Sequence, residues 1–188
     1  MEENITVLGL GHKIYASYDN QNIKVYQAYS DTIANCAVKY NKFSEGFSFK
    51  RMTWIKPSFL WMMYRSNWAQ AEGQKRILSI LMRRDVFDLF IREAVLSSYS
   101  EKLYSSREQW QELLHKDIRC QWDPERDIFG NPLERRSIQI GIKGKMLEMY
   151  NESISSIVDI TERVHELNKG LKFQPFAEII NEKEYYFI

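Results

Sequence analysis

Residues 51–68 read RMTWIKPSFLWMMYRSNW. The stretch carries three of the chain's five tryptophans and places cations at Arg51, Lys56 and Arg65. Met52 to Ile55 reads as a short strand. Pro57 suits the first turn of a helix running to about Ser66, because the N–H that proline lacks has no partner there in any case. At about 100° per residue, Ser58, Trp61, Arg65 and Trp68 share one stripe of that helix, and Phe59, Met62 and Met63 form the opposite, core side. A segment this apolar is buried, and buried charge is costly unless it is paired or used. Lys56 and Ser58 flank the helix N-terminus, where free N–H groups and the helix dipole favour an anion. A phosphate or carboxylate held by Lys56, Ser58 and Arg65, beside a flat ring offered by Trp54 or Trp61, is the functional reading. The structural alternative is a core helix whose Arg65 pairs with a buried acid.

Outward from this segment, strands and helices alternate. His12 to Tyr18 and Ile23 to Tyr29 read as a hairpin around Asp19–Asn22. Ser30 is a plausible N-cap for the helix that begins at Asp31. Ile77 to Met82 is a continuous apolar run of strand length, the pattern of a strand covered on both faces. Val86 to Leu96 and Arg107 to Leu114 are expected as helices, the second capped by Ser105 or Ser106. Ile118 to Trp122 and Ser137 to Ile142 are strands flanking a long turn, DPERDIFGNPLERR. Met146 to Tyr150 is a short helix, Ile157 to Ile160 a strand, and Thr161 caps a helix ending at Gly170. These elements predict a single α+β domain with a mixed or split, antiparallel-rich sheet, and with looser ends at 1–11 and 171–188.

Two further polar clusters stand out. In QWDPERD, Asp123 precedes a proline and is therefore biased towards extended backbone at a strand end. Asp123 or Glu125 is a candidate general base or stabiliser of a developing cation, with Arg126 beside them. The alternative is a surface turn whose charges neutralise one another. In ERRSIQIGIKG, Arg135, Ser137 and Gln139 share one strand face, and Ile138, Ile140 and Ile142 the other. Gly141 would allow a ligand or a neighbouring chain segment to approach closely. Gln27 and Tyr29 likewise face away from Tyr26 and Ala28. Arg51, Arg126, Arg136, Ser137 and Gln139 complete the candidate ligand-binding set, and Gln27 joins the two acids as a candidate catalytic residue.

A net charge of +1 over 188 residues argues against a dedicated polyphosphate-binding face. The two cysteines, Cys36 and Cys120, are expected as reduced thiols. No window approaches the roughly 18 apolar residues of a membrane helix, and the first residues lack the features of a secretory signal, so the chain is expected to be cytoplasmic. No P-loop or His-based zinc motif appears, so no metal is expected. His115 and His165 fall on helices and are expected at the surface.

In order and spacing, VYQAYS, RMTWIKPSFLWMMYRSNW, QWDPER and RSIQIG resemble the domain-of-unknown-function 4291 family, from about Ile14 to Gly170. The same succession of strands and helices is similar, at fold level, to ADP-ribosyltransferase-like domains. That resemblance implies an NAD cleft using a polar first-strand residue (Gln27 or Tyr29), aromatics from Trp54 to Trp61, and a late carboxylate, Asp123 or Glu125. It implies transfer of an ADP-ribosyl group from NAD to protein or nucleic acid. The rival expectation, from a different class, is a non-catalytic single-stranded RNA- or DNA-binding module in which aromatics stack on bases between Arg and Lys. A third is an interaction protein whose tryptophans are core and whose YYFI tail docks a partner.

Overall fold

The run RILSILMR builds the strand around which the chain is organised. In the computed structural model, which describes residues 7–170 and 180–188, it forms β4, Arg76–Arg83. It is flanked on either side by antiparallel partners, β2 (Asn22–Tyr29) and β8 (Ile154–Asp159). Leu78, Ile80 and Met82 enter the larger core, with Phe87 and Phe90 of α3, Arg84–Glu93. Ile77 points the other way, into a smaller core with Tyr26, Phe59, Met62, Met63, Val164 and Leu167. Burial of Ile77 opposite the face that enters the larger core, with Leu81 half-buried beside it, explains why β4 reads as an apolar run broken only by Ser79 rather than as a strict alternation.

A second sheet takes the order β3-β7-β6-β5, from β3 (Thr53–Ile55), β5 (Val95–Leu96), β6 (Ile118–Arg126) and β7 (Pro132–Ile142). Its pairs are antiparallel except β5–β6. Ile138, Ile140 and Ile142 face the larger core as the alternation requires. The expected α+β domain with a split, antiparallel-rich sheet is what forms. The two sheets meet at one bridge, where Tyr26 N–H donates to the Lys56 carbonyl at 2.8 Å and Lys56 N–H returns a bond at 3.3 Å.

α1 spans Asp31–Tyr40 with Ser30 at its N-cap, although the Ser30 side chain makes no capping bond. α2, Phe59–Ser66, is capped by the Ser58 hydroxyl, which accepts from Trp61 N–H at 3.1 Å. α4 (Arg107–Leu113) is capped by Ser106. α5 (Gly144–Ser153) and α6 (Thr161–Gly170) complete the helices of the described residues.

Several expected boundaries change for identifiable reasons. The helix expected over Val86 to Leu96 stops at Glu93, because Val95 and Leu96 pair in parallel with Arg119 and Cys120. The long turn shrinks to about Asp127–Asn131, where the Asp127 carboxylate accepts from the N–H groups of Phe129 and Asn131. β6 therefore runs through Pro124, tolerated because the ladder shifts register between Pro124 and Arg126. The Asp19–Asn22 turn forms, with the Asp19 carboxylate accepting from Gln21 and Asn22. However, the first strand of that hairpin, β1 (Tyr15–Ala16), pairs with β9 (Lys183–Glu184) at the far end of the chain.

Residues 180–188, expected to be loose, are anchored. Tyr185 is buried and donates its hydroxyl to the fully buried Asp88 at 2.6 Å, and Ile188 N–H reaches the same carboxylate at 3.0 Å. At the other end, Val7–Leu10 forms a 3-10 turn with Val7 buried in the larger core, and residues 1–6 and 171–179 lie outside the described residues. Among the described residues no helix is long and apolar enough to cross a membrane.

Candidate functional site

Where the two sheets part beyond the Tyr26–Lys56 bridge, their backbones no longer satisfy each other, and side chains take over. The face of β2 that carries Ile23 and Val25 continues into Gln27 and Tyr29. The Gln27 amide donates to Thr53 Oγ1 (2.8 Å), to the Tyr29 hydroxyl (2.8 Å) and to the Trp54 carbonyl (3.2 Å). Its carbonyl accepts from the Tyr150 hydroxyl at 2.8 Å. Gln27 is 2% exposed, and burial raises the pKa of the Tyr29 and Tyr150 phenols, so both stay neutral donors. Gln27, expected as a catalytic residue, is thus the tie across the split. Gln27→Leu would strand several buried partners and is expected to cost about 2–4 kcal/mol, read from a denaturant midpoint. A loss under about 1 kcal/mol would show that the network is dispensable.

Beside this tie lies a cleft of about 450 Å³, lined by Gln27, Trp54, Lys56, Arg65, Gln121 and Gln139 among others. Trp54 forms its wall by lying across Gly141. A methyl group added there would meet the Trp54 indole carbons at 2.9 Å and Met52 Sδ at 2.6 Å. The close approach expected at Gly141 is therefore made by the protein's own indole.

Lys56 is the unusual member. Its side chain is 7% exposed, yet among the described residues its ammonium has no hydrogen-bond acceptor and no ion-pair partner. It stands 5.3 Å from the centre of the Trp61 ring. Burial, and secondarily the positive charge of Arg65, pull its pKa down to about 7, with Asp123 acting weakly the other way. Arg65 is exposed on the same cleft and forms no ion pair among the described residues. The structural alternative, in which Arg65 pairs with a buried acid, does not form among the described residues.

Asp123 is fixed by its register. Gln121 and Asp123 follow each other on one face of β6, and Gln139 lies opposite Gln121 on β7. The Gln121 amide donates to one carboxylate oxygen and the Gln139 amide to the other, both at 2.8 Å. The result is an oriented carboxylate between two residues that line the cleft.

The helix start is different from expectation. The Ser58 hydroxyl donates to Glu125 Oε1 at 2.9 Å, and that same oxygen accepts from Arg126 N–H. The Phe59 N–H donates to the Glu182 carboxyl at 2.7 Å. Burial drives Glu182 up to about 8, with Glu125 adding repulsion. The N-terminus of α2 is therefore filled by the protein's own carboxyl groups, and Ser58 and the 2% exposed Glu125 serve the cap. Glu182 is the residue sequence reasoning missed, since nothing local ties position 182 to position 59.

The remaining candidates disperse. Trp61 is buried with its indole N–H lacking an acceptor among the described residues. Arg126 stacks 3.8 Å from the Tyr64 ring and donates to the Gly130 carbonyl. Ser137 is buried opposite Asp123. Arg51 and Arg136 are exposed and do not line the cleft. His115 and His165 are exposed.

What converges is a buried cation with no partner among the described residues, a second cation at the rim, an aromatic wall and a fixed carboxylate. No curated protein matches the chain. Residues 13–186 match the family model described as Domain of unknown function (DUF4291), and the chain belongs to that family.

Proposed function

We propose that the cleft binds a phosphate-bearing nucleotide, with NAD as the substrate and transfer of its ADP-ribosyl group to protein or nucleic acid as the reaction. The observation that carries this reading is the buried Lys56 ammonium, without an anionic partner among the described residues, opening on the same cleft as Arg65. A desolvated cation is costly to keep, and a pyrophosphate would supply the missing charge and acceptors. The Trp54 indole offers a flat face for a base or nicotinamide. Asp123 supports the chemistry: as the bond between nicotinamide and ribose C1′ breaks and the acceptor's nucleophile bonds to C1′, a fixed carboxylate stabilises the positive charge that develops there.

The test is thermal. Ligand at a hundredfold its Kd is expected to stabilise the protein by about 2.7 kcal/mol, roughly 5–10 °C for a chain of this size. Millimolar NAD or ADP-ribose should produce this shift in the wild type and none in Arg65→Ala. An unmoved melting temperature in the wild type overturns the reading. Salt-sensitive oligonucleotide binding that survives Asp123→Ala would favour the RNA- or DNA-binding alternative.

A further inference from the structure

We propose that Lys56 is a nucleophilic amine that forms an imine with the carbonyl of a phosphorylated aldehyde or ketone bound in the cleft. The proposal rests on the reading of this cleft as a phosphate site, with Arg65 carrying the anion, and not on NAD itself. Three observations carry it. The Lys56 amine is buried yet borders an open cleft. Among the described residues it donates to no acceptor, so no hydrogen bond holds its lone pair in the protonated form. A guanidinium shares the cleft, which disfavours a second positive charge, the device that makes a lysine nucleophilic near neutrality. Lysine suits this role as arginine does not, because an ammonium gives up its proton when buried.

The step balances without a redox partner. The nitrogen lone pair bonds to the carbonyl carbon as the π pair moves to oxygen. The resulting carbinolamine loses its hydroxyl and one proton as water, leaving a C=N bond. Nitrogen sheds two protons in all, the first to the oxygen that becomes the hydroxyl and the second to that hydroxyl as it departs, both by way of solvent in the open cleft. An amine and a carbonyl become an imine and water. The 450 Å³ of the cleft suits a small sugar phosphate or a comparable ring.

The experiment uses pyridoxal 5′-phosphate, which joins an aldehyde to a phosphate on one small ring. The full chain is incubated with it at pH 7, reduced with borohydride, digested and mapped by mass spectrometry. Hydride adds to the C=N carbon and makes the adduct permanent. The exposed lysines are the internal standard: an ordinary lysine with a pKa of about 10.4 is almost wholly protonated at pH 7. Labelling at Lys56 is expected to exceed theirs by about tenfold or more, to fall in Arg65→Ala, and to be competed by inorganic phosphate. Lys56→Arg, which keeps the charge, should abolish it. Label spread over exposed lysines without enrichment at Lys56 overturns the imine. Enrichment that is indifferent to Arg65→Ala and to phosphate overturns the phosphorylated substrate class. Stabilisation by ADP-ribose without Lys56 labelling sinks the imine and leaves the nucleotide reading standing; labelling without that stabilisation does the reverse.

Discussion

Lys56→Met is expected to make the protein more stable while removing its affinity for phosphate-bearing ligands. Methionine matches the length of the lysine stem and suits an apolar niche beside Trp61, but carries no charge to desolvate. The sign follows from the proton balance. In the unfolded chain the amine keeps its proton up to about its ordinary 10.5, whereas in the fold it releases it near 7. Between those values the unfolded state binds more protons, so the wild type gains stability as pH rises from about 7 to 10.5. Below pH 7 the full penalty is present, and removing it is worth as much as roughly 4–5 kcal/mol. Denaturant midpoints at pH 6 and pH 10 should show a large advantage for Lys56→Met at the lower pH and little at the higher. Equal midpoints at pH 6, or an advantage that widens with pH, would count against an unpartnered buried ammonium. A residue kept at such expense is characteristic of a functional site rather than a structural one. If the cleft takes phosphate as proposed, the same balance is expected to weaken that binding above pH 7, as the ammonium loses its charge.

The parts of the fold that could be read from the sequence are those fixed by local patterning. Ile77 to Met82 announced a strand covered on both faces because only Ser79 breaks its apolar run. Pro57, Ser58 and the following apolar turn gave the start and end of α2 to within a residue or two. Lys56 and Arg65 stood out because cations are rare among so many aromatics. What could not be read depends on distant partners. Val95 and Leu96 leave the helix only because β6 is there to pair with them. Gln27 reads as a candidate catalytic residue on a strand face, yet its role is set by Thr53, Trp54 and Tyr150, which lie far along the chain. The helix start looked open to an anion because Glu182 lies more than a hundred positions from it. Anion binding thus falls to the two side-chain cations and not to the helix dipole: Lys56 just before α2 and Arg65 in its last turn.

Asp123→Asn separates chemistry from binding at this site. The carboxylate accepts one amide on each oxygen, and asparagine retains one acceptor while presenting an NH₂ to the other glutamine. A flip of that glutamine amide restores the bond, so the stability change is expected to stay near 1 kcal/mol. The lost charge has no such remedy. A fixed charge aimed at a developing cation is worth about 10²- to 10³-fold in rate when deleted from a preorganised site. Nicotinamide release at saturating NAD is therefore expected to fall by that factor in Asp123→Asn. NAD binding itself should hold or tighten, because the cleft loses a negative charge that opposes the pyrophosphate. Lys56 also loses the carboxylate that favours its protonated form, so the pH above which phosphate binding weakens should move down. A split of this kind, slower turnover with undiminished affinity, marks an interaction made in the transition state alone. Loss of affinity with unchanged turnover would instead give Asp123 a place in binding and leave the cationic transition state without its partner.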